Sequence, residues 1–186
     1  MNDRWKHWSV VASGISGFAV FAVFALIVYL SNVPQNIVTW TLILVLDALG
    51  LILAYKSGNK KPYLQLGWVI ASFLMFFAVM FNGSPFYWGT PEKVSVALCA
   101  IAIFLWLTRS AQTGLVMYAV AVFISFVPLM GDYWSNPQIE TLWLWILSIV
   151  PGVFAFLGAE KKDFANTFIP WCSMGLNMIF VILCLR

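Results

Sequence analysis

Seven apolar stretches divide this chain, and each is about as long as the hydrocarbon core of a membrane is thick. A helix needs roughly 20 residues to cross that core. The breaks between the stretches carry turn residues or charges, as at Ser57-Gly58-Asn59 and Glu160-Lys161-Lys162-Asp163. Charged residues make up only 9% of the chain, whereas about 25% is usual in a soluble domain. The sequence therefore predicts an all-α integral membrane protein in a lipid bilayer, with spans at 9–30, 37–55, 62–81, 91–108, 111–130, 139–157 and 164–185.

The ten lysines and arginines fall unequally on the two sides that seven crossings create. Eight lie on the side of the N-terminus, and the other two are Lys93 and Arg186. The cytoplasmic segments of membrane proteins carry the excess of basic residues. We therefore predict a multi-pass protein of the inner (cytoplasmic) membrane, with a cytoplasmic N-terminus and an external C-terminus. The net charge of +3 is too small, and the basic residues too scattered, to indicate a nucleic-acid partner.

A short motif occurs twice, near the ends of the first and fifth predicted spans. Ser31-Asn32 precedes Pro34-Gln35, and Ser135-Asn136 precedes Pro137-Gln138, at a spacing of 103 residues. Trp40 also has a tryptophan 103 residues after it. Internal repeats in an apolar chain are typical of membrane transporters, whose substrate site lies between the repeats.

The repeat predicts a seven-helix architecture of two three-helix units. Residues 1–85 form the first unit, residues 86–110 a linker helix without a counterpart, and residues 111–186 the second unit. Three crossings alone would leave the second unit inverted, and the linker helix adds the one crossing that restores its orientation. The two units are therefore predicted to be parallel and related by an axis along the membrane normal.

This 3+1+3 arrangement, with its two Pro-Gln pairs, resembles the PQ-loop superfamily. That superfamily includes cystinosin-like lysosomal exporters and, more distantly, the SWEET sugar transporters. The resemblance covers nearly the whole chain and implies two three-helix bundles around a central path. It also implies that the helices rock at their prolines during alternating access, so that Pro34, Gln35, Pro137 and Gln138 are hinge residues.

Asp47 is the only acidic residue that the sequence predicts deep inside a span. A charged side chain at the bilayer centre costs roughly 2.5–3.5 kcal/mol on insertion scales, so the residue needs a compensating role. One hypothesis is proton coupling, in which the carboxyl group exchanges a proton during transport. The alternative, which carries equal weight, is a structural aspartate whose hydrogen bonds hold two helices together.

Several polar and aromatic side chains share helix faces and are candidates for substrate binding. Asn177 and Ser173 lie on one face of the seventh span, because residues four apart are neighbours on a helix. In the third span, Gln65 and Ser72 are seven residues apart, which is nearly two turns. The tryptophans near the starts of the second and sixth spans suit stacking against a small polar solute. The candidate substrate-binding residues are Asn177, Ser173, Trp40, Trp143, Gln65 and Ser72.

Each of these candidates also has a purely structural interpretation. Asn177 resembles the seventh-helix asparagine with which SWEET-like transporters bind sugar, but an interhelical hydrogen bond is the interpretation that the sequence favours. Trp40 and Trp143 would equally belong to the belt of aromatic residues at the membrane surface. Pro128 and the pair Pro151-Gly152 are predicted to interrupt the fifth and sixth spans.

The sequence favours a small polar solute transporter that works by alternating access between two three-helix bundles. The alternative is a membrane receptor or scaffold that keeps the fold and binds a ligand without moving it, which a missing central cavity would favour. An intramembrane enzyme needs at least two converging catalytic groups, and the predicted interior offers one aspartate and no histidine, so no enzyme is predicted.

Neither a cofactor nor a metal site is predicted. His7 is the only histidine, and Cys99, Cys172 and Cys184 all fall inside predicted spans. In the first span, small residues recur at every fourth position, a pattern that lets helices approach closely. That stripe (Ser9, Ser13 and Gly17) indicates packing either within the unit or between the protomers of a homo-oligomer.

Overall fold

The computed structural model describes residues 3–31, 35–137 and 139–186. Within these ranges every regular element is a helix. The elements are α1 (Asp3–Ser31), α2 (Ile37–Lys56), α3 (Tyr63–Phe81), α4 (Thr90–Thr108), α5 (Ala111–Ser125), α6 (Val127–Ser135), a 3-10 turn (Ile139–Thr141), α7 (Leu142–Gly158) and α8 (Phe164–Leu185).

The helices are long and apolar enough for a membrane. Helices α1 to α4, the pair α5 and α6 taken together, and α8 each meet the length and hydropathy of a membrane span, which gives six candidates in the described part of the chain. Helix α7 is apolar but has only 17 residues. Large apolar side chains such as Phe104, Leu107 and Ile182 face outwards, where lipid would cover them. The chain is an all-α membrane protein, as the sequence predicted.

Prolines act differently in the fifth and sixth predicted spans. The fifth is broken at Phe126, and Pro128 lies in the first turn of α6, where its missing N–H is tolerated. Helix α7 instead continues through Pro151, so the predicted interruption there is wrong. A neighbouring helix supports this stretch, because a methyl group on Gly152 would lie 2.7 Å from the Met174 side chain of α8.

The helices form one packed bundle with two distinct ends. Helix α1 lies against α3 and α7, α2 against α3 and α5, α4 against α5, and α8 against α7. We call one end the lysine-rich end, which contains residues 3–8, 56–62, 109–110 and 159–163. The opposite end is the Pro-Gln end, which contains residues 35–36, 82–89, 135–137 and 139–141.

The small-residue stripe of α1 packs inside the chain. Ser9 and Ser13 are buried, and the Ser9 hydroxyl donates a hydrogen bond of 2.8 Å to the Phe154 carbonyl of α7. Gly17 lies against the indole of Trp68 in α3. Of the two kinds of packing predicted for the stripe, contact within the chain is the one that the structure provides.

Gly67 is expected to be the least replaceable glycine where α1 and α3 cross. A Cβ atom there would collide with the Gly14 carbonyl oxygen, and backbone cannot move aside as a flexible side chain can. We expect Gly67→Ala to lower the free energy of unfolding by about 1–3 kcal/mol. Gly175→Ala is the matched control, because it is also inside a helix but has open space around it. That change should be neutral or stabilising by up to about 1 kcal/mol, and thermal unfolding in detergent measures both.

Candidate functional site

A cavity of about 70 Å³ lies in the middle of the bundle, between helices of both halves of the chain. We call it the central cavity. Its polar lining comes from four helices: Asp47 of α2, Ser72 of α3, Tyr118 of α5, and Ser173 and Asn177 of α8. Its apolar lining includes Phe21, Ile43, Trp68, Phe123 and Trp145. Four of the residues that the sequence singled out therefore face one shared space.

Asp47 is the acidic group of the central cavity and is only 8% exposed. The Ser72 hydroxyl donates a hydrogen bond to one of its carboxyl oxygens, Oδ2, and this bond joins α2 to α3. The other oxygen has no hydrogen-bond partner within the described residues. No lysine, arginine or histidine lines the cavity in the part of the chain that the structure describes. The carboxyl group therefore has polar support but no basic partner at the site.

The side chain of Asn177 is oriented by two backbone carbonyl groups. Its Nδ2 donates to the Ser148 carbonyl of α7 at 3.2 Å and to the Ser173 carbonyl of its own helix at 2.9 Å. Since both partners can only accept, the nitrogen of the amide must face them. The Oδ1 atom remains as an acceptor. Asn177 thus makes an interhelical hydrogen bond and also lines the cavity.

Tyr118 is a cavity residue that the sequence reasoning missed. It is buried, and its ring lies against Gly50 of α2, where a Cβ atom would come within 2.6 Å of the hydroxyl oxygen. The glycine therefore allows the tyrosine to approach α2 beside Asp47. Its position in the middle of an apolar span, away from the aromatic belts, is the sequence signal that could have identified it.

Aromatic side chains pack between the central cavity and the Pro-Gln end. The rings of Trp145 and Phe180 are nearly parallel, with centroids 4.0 Å apart. Tyr133 meets both rings edge-on, and its hydroxyl accepts a hydrogen bond of 3.2 Å from Trp145 Nε1. Phe126 packs on Phe180 at the helix break between α5 and α6. We call these four residues the aromatic plug, and all four are buried.

The lysine-rich end instead holds a larger recess of about 360 Å³, the vestibule. Its lining includes Lys61, Gln65, Glu160 and Asn166. Gln65 is 2% exposed, and its Oε1 has no hydrogen-bond partner within the described residues. Ser72 lies two turns further along α3, so the vestibule and the central cavity follow each other along the same helix.

An ion pair crosses the mouth of the vestibule. Lys61 Nζ lies 2.5 Å from Glu160 Oε1, which connects the loop between α2 and α3 to the loop between α7 and α8. The hydrogen bond from Lys61 lowers the pKa of Glu160, and the same bond raises the pKa of Lys61. Both side chains are partly exposed, so the pair contributes little to stability. It does connect the α2–α3 loop to the α7–α8 loop.

The remaining predicted residues lie at or near the Pro-Gln end. Trp40 is buried outside the cavity, and its Nε1 donates a hydrogen bond of 3.3 Å to Gln35 Oε1. Trp143 is 44% exposed and does not line the cavity, whereas Trp145 does. Pro137 is exposed in the loop after α6. Pro34 and Gln138, which were predicted to be hinge residues, lie outside the described residues.

Glu92 is a buried acidic residue that the sequence reasoning also missed. It is 4% exposed and accepts hydrogen bonds from Asn36 Nδ2 at 3.1 Å and from Thr39 Oγ1 at 2.6 Å. The side chain of Asn36 also bonds the backbone of the loop that contains Tyr87. The start of α4 is therefore tied to the loop that follows the first Pro-Gln pair.

Among residues 3–31, 35–137 and 139–186, no three histidine, cysteine, aspartate or glutamate side chains come together as metal ligands would. The three cysteines are free thiols, and Cys172 lines the central cavity. No family model, curated protein or solved structure matches the chain.

Proposed function

We propose that this protein is a small polar solute transporter of the PQ-loop type, which works by alternating access between two three-helix bundles. The observation that carries the proposal is the central cavity. It combines Asp47 and Ser72 from the first half of the chain with Ser173 and Asn177 from the second. A transporter built from two repeats binds its substrate between them, near the middle of the membrane.

Burial patterns support the proposed repeat, although at spacings that differ from 103. Buried positions of α2 recur in α7 after 105 residues, as Trp40 and Trp145 illustrate. Buried positions of α3 recur in α8 after 101 residues, as Ser72 and Ser173 illustrate. Loops of different length in the two halves would shift each helix separately in this way. Asp47 then corresponds to the buried Gly152, so the carboxyl group is specific to the first repeat.

Helix contacts support the same symmetry. If α5 and α6 together correspond to α1, α7 to α2 and α8 to α3, then the contact of α1 with α7 corresponds to that of α5 with α2. Both contacts are present. The pairs α2 with α3 and α7 with α8 are related in the same manner, and both are packed. Helix α4 has no counterpart in this correspondence between the two repeats. It packs on α5, as a linker between two bundles would.

The two ends of the bundle differ as the two gates of a transporter would. The aromatic plug fills the Pro-Gln end, whereas the lysine-rich end holds the vestibule, which follows the central cavity along α3. The charge distribution favours a cytoplasmic lysine-rich end. On this proposal the structure represents a state that faces the cytoplasm, and the reverse state would separate Trp145 from Phe180 and close the vestibule.

Reconstitution into proteoliposomes tests the transport function. The probes are radiolabelled glucose, alanine, ethanolamine and guanidinium, which cover neutral, zwitterionic and cationic small polar solutes. We expect uptake of at least one probe to exceed that of protein-free liposomes and to depend on the pH difference across the membrane. Absence of uptake for every probe, with folded protein in the liposomes, would favour the alternative function of a receptor or scaffold that binds without transport.

A further inference from the structure

We infer that the central cavity is a binding site for a small organic cation with an ammonium or guanidinium group. This inference rests on the proposed function, because it names the class of solute that the transport site would take. It follows from three properties of the lining, which are its charge, its hydrogen-bonding groups and its aromatic rings.

The lining has one acidic group and, within the described residues, no basic group to pair with it. Asp47 provides the one carboxyl group of the cavity lining within the described residues, and the other titratable side chains there are Tyr118 and Cys172. Within the described residues, the lining contains no basic side chain that would pair with an ionised Asp47. An unpaired buried charge is strongly unfavourable, and a cation beside it removes that cost. An anionic solute would instead be repelled.

The hydrogen-bonding groups with fixed orientation are acceptors. Asn177 Nδ2 donates to two backbone carbonyls, so the polar atom of its side chain that remains for a ligand is Oδ1, which is an acceptor. The Ser72 hydroxyl hydrogen is already donated to Asp47 Oδ2, which leaves Oδ1 of the carboxyl group to accept from a ligand. A ligand that donates through N–H groups satisfies these atoms. The hydroxyls of Tyr118 and Ser173 can rotate to suit it.

Aromatic rings make up much of the remaining lining. Phe21, Trp68, Tyr118, Phe123 and Trp145 surround the cavity. The negative faces of such rings attract organic cations, and the attraction strengthens when the cation has lost its water. Trp145 donates its indole N–H to Tyr133, so it offers the cavity its ring surface and no hydrogen bond. A volume of about 70 Å³ suits a solute of a few heavy atoms.

The native thiol of Cys172 allows a test that does not depend on the identity of the solute. In a background with Cys99→Ala and Cys184→Ala, Cys172 is the only thiol. The rate of its modification is measured in detergent with methanethiosulfonate reagents that carry an ethylammonium or an ethylsulfonate group. Each rate is divided by the rate of the same reagent with free N-acetylcysteine, which removes the difference in intrinsic reactivity. We expect the normalised rate for the cation to exceed that for the anion about tenfold or more.

Asp47→Asn is expected to bring this ratio close to one. A ratio near one in the wild-type background, or a ratio that Asp47→Asn leaves unchanged, would overturn the inference. Ser173→Cys with Cys172→Ala provides a second thiol in the same lining. If neither thiol reacts even with neutral methyl methanethiosulfonate, no solute reaches the cavity and the inference also fails. If proteoliposomes take up a solute but the ratio of the two modification rates is near one, the proposed transport function is retained and only the preference for cations is rejected.

Discussion

Trp145→Ala is expected to destabilise the protein by about 3–5 kcal/mol, because it truncates a large aromatic side chain that is only 2% exposed. The indole stacks on Phe180, meets Tyr133 edge-on and donates a hydrogen bond to the tyrosine hydroxyl. Its removal leaves a cavity in the aromatic plug and deletes that hydrogen bond. Trp143→Ala is the matched control, since this tryptophan is two residues away and 44% exposed. We expect it to change stability by less than about 0.5 kcal/mol, as measured by thermal unfolding in detergent.

The same substitution should also open the central cavity towards the Pro-Gln end. With the plug incomplete, a membrane-impermeant thiol reagent added on that side of a reconstituted vesicle should modify Cys172 at least tenfold faster than in the wild type. Trp143→Ala should leave that rate unchanged. Equal effects of the two substitutions on stability and on access would contradict the assignment of Trp145 to a gate.

Asp47→Asn is expected to reduce uptake of a cationic solute at least tenfold and to abolish the dependence of uptake on pH. A proton and a cation would compete for the same carboxyl group, so wild-type uptake should rise as pH rises and the group ionises. The amide neither ionises nor attracts a cation. Uptake of ethanolamine and guanidinium by proteoliposomes over a range of pH measures both effects.

Three control substitutions separate this role of Asp47 from the titration of another group. Asp132→Asn removes an exposed aspartate at the Pro-Gln end and should leave uptake and its pH dependence intact. Cys172→Ala removes the titratable thiol that also lines the cavity, and the pH dependence should survive it. Tyr118→Phe makes the corresponding test for the phenol. If Asp47→Asn lowers stability but leaves the pH dependence unchanged, Asp47 is a structural aspartate that holds α2 and α3 together.

Helix periodicity is the reason that part of the site could be predicted. Ser173 and Asn177 are four residues apart, and Asp47 and Ser72 are polar residues near the middle of apolar spans. Side chains with these properties can avoid lipid only by facing the bundle interior. The central cavity brings all four together. The prediction needed only local spacing, which the sequence contains.

The tryptophans show where that reasoning reaches its limit. A single spacing of 103 residues pairs Trp40 with Trp143, but burial relates Trp40 to Trp145. The difference of two residues arises from the connections, whose lengths the helix period does not determine. Two residues turn a helix by more than half a revolution, so this small error exchanges a lipid-facing side chain for a buried one. The period of α7 itself, with Ser148 and Gly152 following Trp145, indicates the correct face.

Glu92 and Gln65 depend on contacts between distant parts of the chain. In the sequence, Glu92 is an acidic residue at the start of a predicted helix, where it would be expected to face solvent and to interact favourably with the helix dipole. Its burial results from the loop at 82–89, which lies over the start of α2 and binds Asn36. Gln65 could be predicted to face inwards, but the vestibule beside it exists because α1, α3, α7 and α8 meet around it.

The most direct test of the central claim, that this cavity is reached from both sides of the membrane in turn, is the accessibility of Cys172 in oriented proteoliposomes. The variant used carries Cys99→Ala and Cys184→Ala, so that Cys172 is its only thiol, and an impermeant methanethiosulfonate reagent is added to one side at a time. We expect modification from the lysine-rich side and, more slowly, from the Pro-Gln side, with a transported solute changing the ratio of the two rates. Modification from one side only, whatever solute is present, would contradict alternating access.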